Sequence, residues 1–172
     1  VEGAKVKVIP TFFDETFTYE GDFDAVVHSH VFEHMYFPSD FISQLGDFIP
    51  IGKYHLFSIP DLMLWLKNKF TNCLNFEHTY FVIEPYVEYL LAINGFKVLK
   101  KEKFLDHSLF YATQKVDKMV NFELPNLYEQ NKQLFDQFDQ YHQDLVKDLN
   151  KKIENSKLPV YLFGGHVFSQ YL

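Results

Sequence analysis

No arginine occurs in the 172-residue chain: all 16 cationic side chains are lysine, set against 23 Asp and Glu for a formal net charge of −7. That absence removes the planar guanidinium fork that grips phosphate or carboxylate with paired hydrogen bonds. An anionic ligand would have to be held by lysine, backbone amides or a helix N-terminus. No basic stripe runs along the sequence, so a nucleic-acid partner is not expected. Cysteine is almost missing as well. Cys73 stands alone, which excludes an internal disulfide and makes a reducing cytoplasm the expected compartment. No apolar run reaches the ~20 residues needed to cross a bilayer. A secretory leader pattern is also lacking, and no membrane association is expected. Against these absences stands an abundance of apolar and aromatic residues, 47% and 19% of the chain, with 20 Phe. Such a composition suits one globular domain with a sizeable core and does not suit disorder.

Short apolar runs alternate with helical patterns. Residues 4–9, stopped by Pro10, read as a strand, and residues 23–28 as a second strand with the continuous apolar centre of a buried parallel strand. Ser39 or Asp40 is placed to cap a helix carrying Phe41, Ile42 and Leu45. Gly52 opens a strand over residues 54–59, closed by Pro60, and residues 62–70 read as a short helix. Glu84-Pro85 opens a helix ending at Asn94-Gly95, a C-terminal stop signal. Residues 96–104 and 108–113, joined through Asp106-His107, read as a β-hairpin. From 124 to 155, Leu127, Leu134, Phe138, Leu145, Leu149 and Ile153 form one stripe of a long amphipathic helix. A last strand is expected over 160–163, followed by Gly164-Gly165-His166. The predicted fold is α/β with a mostly parallel sheet and a terminal antiparallel hairpin.

The run Phe23-Asp24-Ala25-Val26-Val27-His28-Ser29-His30-Val31-Phe32-Glu33-His34 resembles the fourth-strand region of class I S-adenosylmethionine-dependent methyltransferases. Gly52 to Pro60 resembles the strand that follows there, and Phe76-Glu77-His78 and Gly95-Phe96-Lys97-Val98 resemble two later landmarks. The match is nearest to sugar C-methyltransferases and their relatives, in which a trailing domain begins much like residues 160–166. The resemblance implies a Rossmann-like methyltransferase sheet, incomplete at the N-terminus. Residues 1–115 would be the later part of the core, 116–157 a connecting helix, and 158–172 the first strand and helix start of a C-terminal domain. The Gly-rich loop and ribose-binding acid of such enzymes have no counterpart in this sequence. The chain is therefore expected to be part of a longer protein and to bind the cofactor poorly by itself.

In an open α/β sheet ligands bind beyond the carboxyl ends of the strands, which singles out His28, Ser29, His30 and Glu33. By the resemblance they border S-adenosylmethionine and a small-molecule acceptor, a sugar or sugar nucleotide. The aromatic side chains of Phe12 and Phe13, after Thr11, would flank the adenine. Glu77-His78 is the candidate acid/base pair. Histidine suits proton removal near neutral pH and a carboxylate can set its protonation. A similar Tyr-x-Glu-His stretch supplies these groups in sugar C-methyltransferases, although Asn75 stands here where the Tyr would fall.

The bland alternatives are local hydrogen bonding for His28 and His30, a core position for Phe12 or Phe13, and an ordinary loop pair for Glu77-His78. His30-x-x-Glu33-His34 also fits the H-x-x-E-H pattern of inverted zincins, which would make a metal-dependent hydrolase. A strand end just before it and Pro38 just after leave too little helix, so no metal is expected on that trio. Glu33 is then read as a local cap or pair, and His34 as packing near the sheet edge. Pro60 and Asp61 read as a strand terminator, Cys73 as structural and His107 as a solvated turn residue. The stripe of the long helix packs on its own protein or, alternatively, on a partner helix such as a second copy. A non-catalytic module associating through that helix is the third functional reading.

Overall fold

The computed structural model describes residues 6–74, 77–118 and 121–164. It is an α/β protein built on a mixed four-stranded sheet. In chain order come β1 (Ala25–Ser29), α1 (Pro38–Phe48), β2 (Tyr54–Pro60), α2 (Leu62–Lys67), α3 (Glu84–Ile93), β3 (Phe96–Phe104), β4 (Ser108–Lys115) and α4 (Tyr128–Glu154). Single 3-10 turns occupy Phe32–His34 and Thr71–Leu74.

The sheet order is β1-β2-β4-β3. β1 and β2 are parallel, with Ala25 opposite Tyr54 and Ser29 opposite Ser58. β4 lies antiparallel to β2 on its other side, and the hairpin partner β3 forms the edge. The expected parallel pair and terminal hairpin are both present, but the expected mostly parallel sheet is not: among the described strands only β1–β2 is a parallel pairing, because the hairpin enters the sheet beside β2. β2 is covered almost continuously, as a central strand should be. β3 is exposed beyond Val98, and its Lys100, Lys101 and Lys103 guard the edge against pairing with another chain.

The main core lies where α1 and α3 cover one face of the sheet. Phe41, Ile42 and Leu45 of α1 and Val87 and Leu91 of α3 meet Phe57, Ile59, Phe96, Leu109 and Tyr111. A second, smaller core joins Leu62, Trp65 and Leu66 of α2 with Cys73, Phe138 and the half-buried Leu134. It holds α4 by one stretch of its stripe only. Leu145 and Leu149 are half-buried and Ile153 is exposed. Burial pushes the Cys73 thiol up to about 12, so it is an inert core group, as expected.

Several local expectations are corrected. Residues 6–9 form no strand and Val6 and Val8 are exposed, while Ala4 and Lys5 lie outside the described residues. A short β-prone run gains hydrogen bonds only beside a neighbouring strand, and none of the described strands flanks it. Residues 160–163 likewise form no strand and are exposed. The following stretch from Gly165 lies outside the described residues. α1 begins at Pro38 with Phe37 at the cap position, so neither Ser39 nor Asp40 caps it. Proline suits the first helical turn because its missing N–H would have no partner there. Asp61 is the cap of α2, accepting a hydrogen bond from the Leu64 amide at 3.1 Å, and it pairs with Lys103 at 3.0 Å. Gly95 does close α3, at φ +75°, and a Cβ there would stand 3.0 Å from Lys115 Nζ and 3.2 Å from the Val116 carbonyl.

Candidate functional site

Past the carboxyl ends of β1 and β2, four histidines from three separate stretches of chain converge. His30 and His34 come from the segment after β1, His78 from the segment after α2, and His107 from the β3–β4 turn. His30 takes a left-handed backbone conformation, φ 51°, which a β-carbon disfavours. The backbone turns there because the His30 amide still bonds the Ser58 carbonyl at 3.0 Å while the chain leaves the sheet. Its ring touches three strands: Nε2 lies 3.1 Å from Ser108 Oγ, and Nδ1 lies 3.1 Å from Ser29 Oγ and 3.5 Å from Ser58 Oγ. Ser29 and Ser58 bond to each other at 2.7 Å, and His107 Nδ1 bonds Ser108. His107 also stands edge-on to Trp65, with ring centres 5.6 Å apart, so this turn residue is part of the cluster. Nothing in its local sequence announces that, because the contact depends on how the hairpin lies against α2.

His34 and His78 meet at a ring separation of 5.1 Å. The two segments are laced together by backbone. His34 Nδ1 donates to the Glu77 carbonyl at 2.9 Å, and the Thr79 amide donates to the Glu33 carbonyl at 3.0 Å. Glu33 sits beneath them at 1% exposure, and neither carboxylate oxygen receives a hydrogen bond from another residue among those described. Burial raises its carboxyl above the usual range, while its own amide and His34 pull the other way. The same burial, together with His34 and His30, lowers His78, and Glu77 opposes that shift. Burial, then His107 and His34, lower His30. A histidine held below its ordinary value is neutral at pH 7 and keeps a lone pair for a proton or a metal.

The expected site residues divide. Ser29, His30 and His78 lie in the cluster, and Glu77 joins it through its backbone carbonyl, with its side chain exposed. His28 does not. It points from β1 toward α1, where its ring packs against Phe41 and Phe57 and its Nε2 lies 2.9 Å from His55 Nε2. The reason is strand alternation, since neighbouring side chains of a strand take opposite faces. Phe12 is 85% exposed, whereas Phe13 packs on Phe17, Phe41 and Phe48. Phe13, Phe17, Phe23 and Phe48 border a cavity of about 470 Å³. Phe23 precedes β1, so this cavity lies at the amino end of that strand, away from the histidines. Asn75 lies outside the described residues.

No protein-family model and no curated protein matches the chain. The site must be read from its own chemistry. The H-x-x-E-H pattern does not form a zincin helix: Phe32–His34 is one 3-10 turn and His30 bonds Ser108 instead of facing Glu33. Among the described residues, the group of His, Cys, Asp and Glu able to converge on one point is Glu33, His34 and His78.

Proposed function

We propose that this chain forms the acceptor side of a Rossmann-like S-adenosylmethionine-dependent methyltransferase acting on a small molecule, a sugar or sugar nucleotide by the resemblance. The observation that carries the reading is His78, an imidazole whose pKa burial lowers, held against the carboxyl ends of a parallel strand pair by the Thr79 amide on the Glu33 carbonyl and the His34 ring on the Glu77 carbonyl. Ligands of open α/β sheets bind at that end. The antiparallel hairpin beside β2 agrees with the sheet the resemblance implies.

The cofactor, when bound, supplies an electrophilic methyl group. Ser29 and His30, at the end of β1, fit a role along its methionine side. Phe12 and His28 do not fit theirs, the one being exposed and the other turned into the core. His78 takes the proton that the acceptor atom loses as it becomes a nucleophile, and Glu77 beside it favours the resulting imidazolium. Trp65, whose ring lies 6.5 Å from that of His78 and nearly parallel to it, gives one wall of the acceptor space. The lone buried Cys73 agrees with a reducing, cytoplasmic setting, and among the described residues no helix is long and apolar enough to cross a membrane.

The test is transfer of labelled methyl from S-adenosylmethionine to a panel of sugars and sugar nucleotides by the protein containing this chain. Turnover that collapses in His78→Ala with cofactor affinity unchanged supports the reading. Absence of methyl transfer to any acceptor, with cofactor binding also absent, removes it. The chain by itself is expected to show no micromolar affinity for the cofactor in calorimetry, because its sequence has no counterpart of the Gly-rich loop and ribose-binding acid that the resemblance calls for, contacts worth several kcal/mol.

A further inference from the structure

We infer that Glu33, His34 and His78 form a binding site for one divalent transition-metal ion of the zinc class. This goes beyond methyl transfer and stands without it.

The argument begins with an electrostatic conflict. His34 Nδ1 faces a carbonyl, the Glu77 oxygen at 2.9 Å, so it must carry the hydrogen of that bond. In the neutral ring Nε2 is then an acceptor, and it points at another acceptor, Glu33 Oε1, 3.9 Å away. Glu33 is almost wholly buried, and its carboxylate oxygens receive no hydrogen bond from another residue among those described, with only its own amide acting on them. His78 Nδ1 is buried and equally without a partner. One ligand atom from each of the three residues lies within 4.8 Å of the other two. In the His78 tautomer that turns a lone pair to this space, three lone-pair atoms face one another, an arrangement that costs free energy in a low-dielectric setting. A proton satisfies one facing pair and a water donates to two atoms. A cation satisfies all three and neutralises the buried carboxylate.

The chemistry selects the ion. Two imidazoles and one carboxylate suit zinc and its first-row neighbours better than magnesium or calcium, which prefer all-oxygen shells. Ligand atoms around tetrahedral zinc stand about 3.3 Å apart, from bonds of ~2.0–2.2 Å. The 3.9 Å separation of His34 and Glu33 thus closes by under an ångström. His34 already has the support that metal-bound histidines take, its other ring N–H given to a backbone carbonyl. His34 and His78 are half-buried, which leaves a solvent side for water as a fourth ligand. An ion on His78 would occupy the lone pair that proton removal needs, so the loaded protein would be the form in which His78 is unavailable as a base.

The test uses the 172-residue chain, stripped with chelator and titrated with Zn²⁺ by calorimetry, and with Co²⁺ followed by visible absorption. The expected result is one ion per chain and the absorption of four-coordinate cobalt. Glu33→Gln, which keeps the shape of the buried side chain, and His34→Gln should each weaken binding at least ~100-fold, more than loss of an outer-shell partner does. His107→Gln and His30→Gln should leave it within about threefold. Circular dichroism checks that the variants fold. Uptake that survives Glu33→Gln, or no uptake by the folded wild type, overturns the proposal. So does a metal-free His34 that stays imidazolium by NMR while the chain takes up no zinc, because a proton would then fill the gap. None of these readouts involves methyl transfer, so failure here leaves the proposed activity standing, and the converse holds.

Discussion

Two groups of histidines sit on the same sheet a few residues apart and behave in opposite ways. On the helix-covered face, His28 and His55 close on each other at 2.9 Å, packed between Phe41, Phe57 and Phe96. At the strand ends, His34 and His78 stack edge-on over a buried carboxylate and leave lone pairs unanswered. In the first group a shared hydrogen satisfies one nitrogen of each ring and the surroundings are apolar, which is the make-up of a core. In the second group the polar atoms converge without satisfying one another, which is how a site waits for a ligand. Residue type does not separate the two, and neither does satisfaction alone, because His28 Nδ1 and His55 Nδ1 also lack partners; at the strand ends the open atoms converge on one point together with a carboxylate, and in the core they do not.

Acid should produce the largest effect and should separate the groups. Burial lowers His28 to about 4 and His55, with His28 adding to the effect, to about 3. Both folded values lie below the unfolded value near 6.5. Stability from this pair is therefore complete above that value and is lost as pH falls through it, because the unfolded chain binds more protons. At about pH 4.5 the loss is roughly 2–3 kcal/mol per imidazole. Urea unfolding across pH should show it, and a His28→Leu/His55→Leu variant should lose most of that slope. A slope unchanged in the double variant would mean that the core pair is not the acid-sensitive element.

Removing the ring of Phe138, fully buried where α4 meets α2, should cost about 3–5 kcal/mol as Phe138→Ala. Thermal unfolding measures it, and a loss below about 1 kcal/mol would mean that α4 is only loosely docked. His78→Ala should lower turnover of the methyl-transfer reaction by at least ~10²-fold, equal to about 2.7 kcal/mol, while His28→Ala lowers stability more than turnover per folded molecule. Equal rate losses in the two variants would erase the distinction between the groups. The smallest effect belongs to the hydroxyls that border the site. Ser58→Ala, which removes the 2.7 Å bond to Ser29, should cost about 1 kcal/mol of stability.

Much of the fold was legible. Pro60, Asn94-Gly95 and the Asp106-His107 turn bracket elements whose observed limits agree to within a few residues. The strands that failed, over 6–9 and 160–163, have β-prone residues but no described neighbour to pair with. Of the cluster, Ser29 and His30 were readable from their place after a strand, and His78 from the resemblance that the Glu77-His78 pair carries. His28 was not excluded by sequence, because one residue of shift in a strand decides which face a side chain takes. Glu33 was placed at the strand end by the sequence but weighed mainly as a local cap or pair, and its burial beneath His34 and His78 reveals it as a carboxylate in the interior.

What the amino-acid sequence determined by itself is local. Apolar runs set the strands, a 3.6-residue stripe set α4, and Gly95 set a helix end, because each depends on neighbours within a few positions. Which histidines meet was decided by the tertiary structure alone. His34 reaches Glu77 across 43 positions and His30 reaches Ser108 across 78. Those encounters follow from the order β1-β2-β4-β3, which brings the start of β4 beside the end of β2. They also follow from the lacing of residues 77–79 onto 33–35, and no local pattern of side chains encodes either.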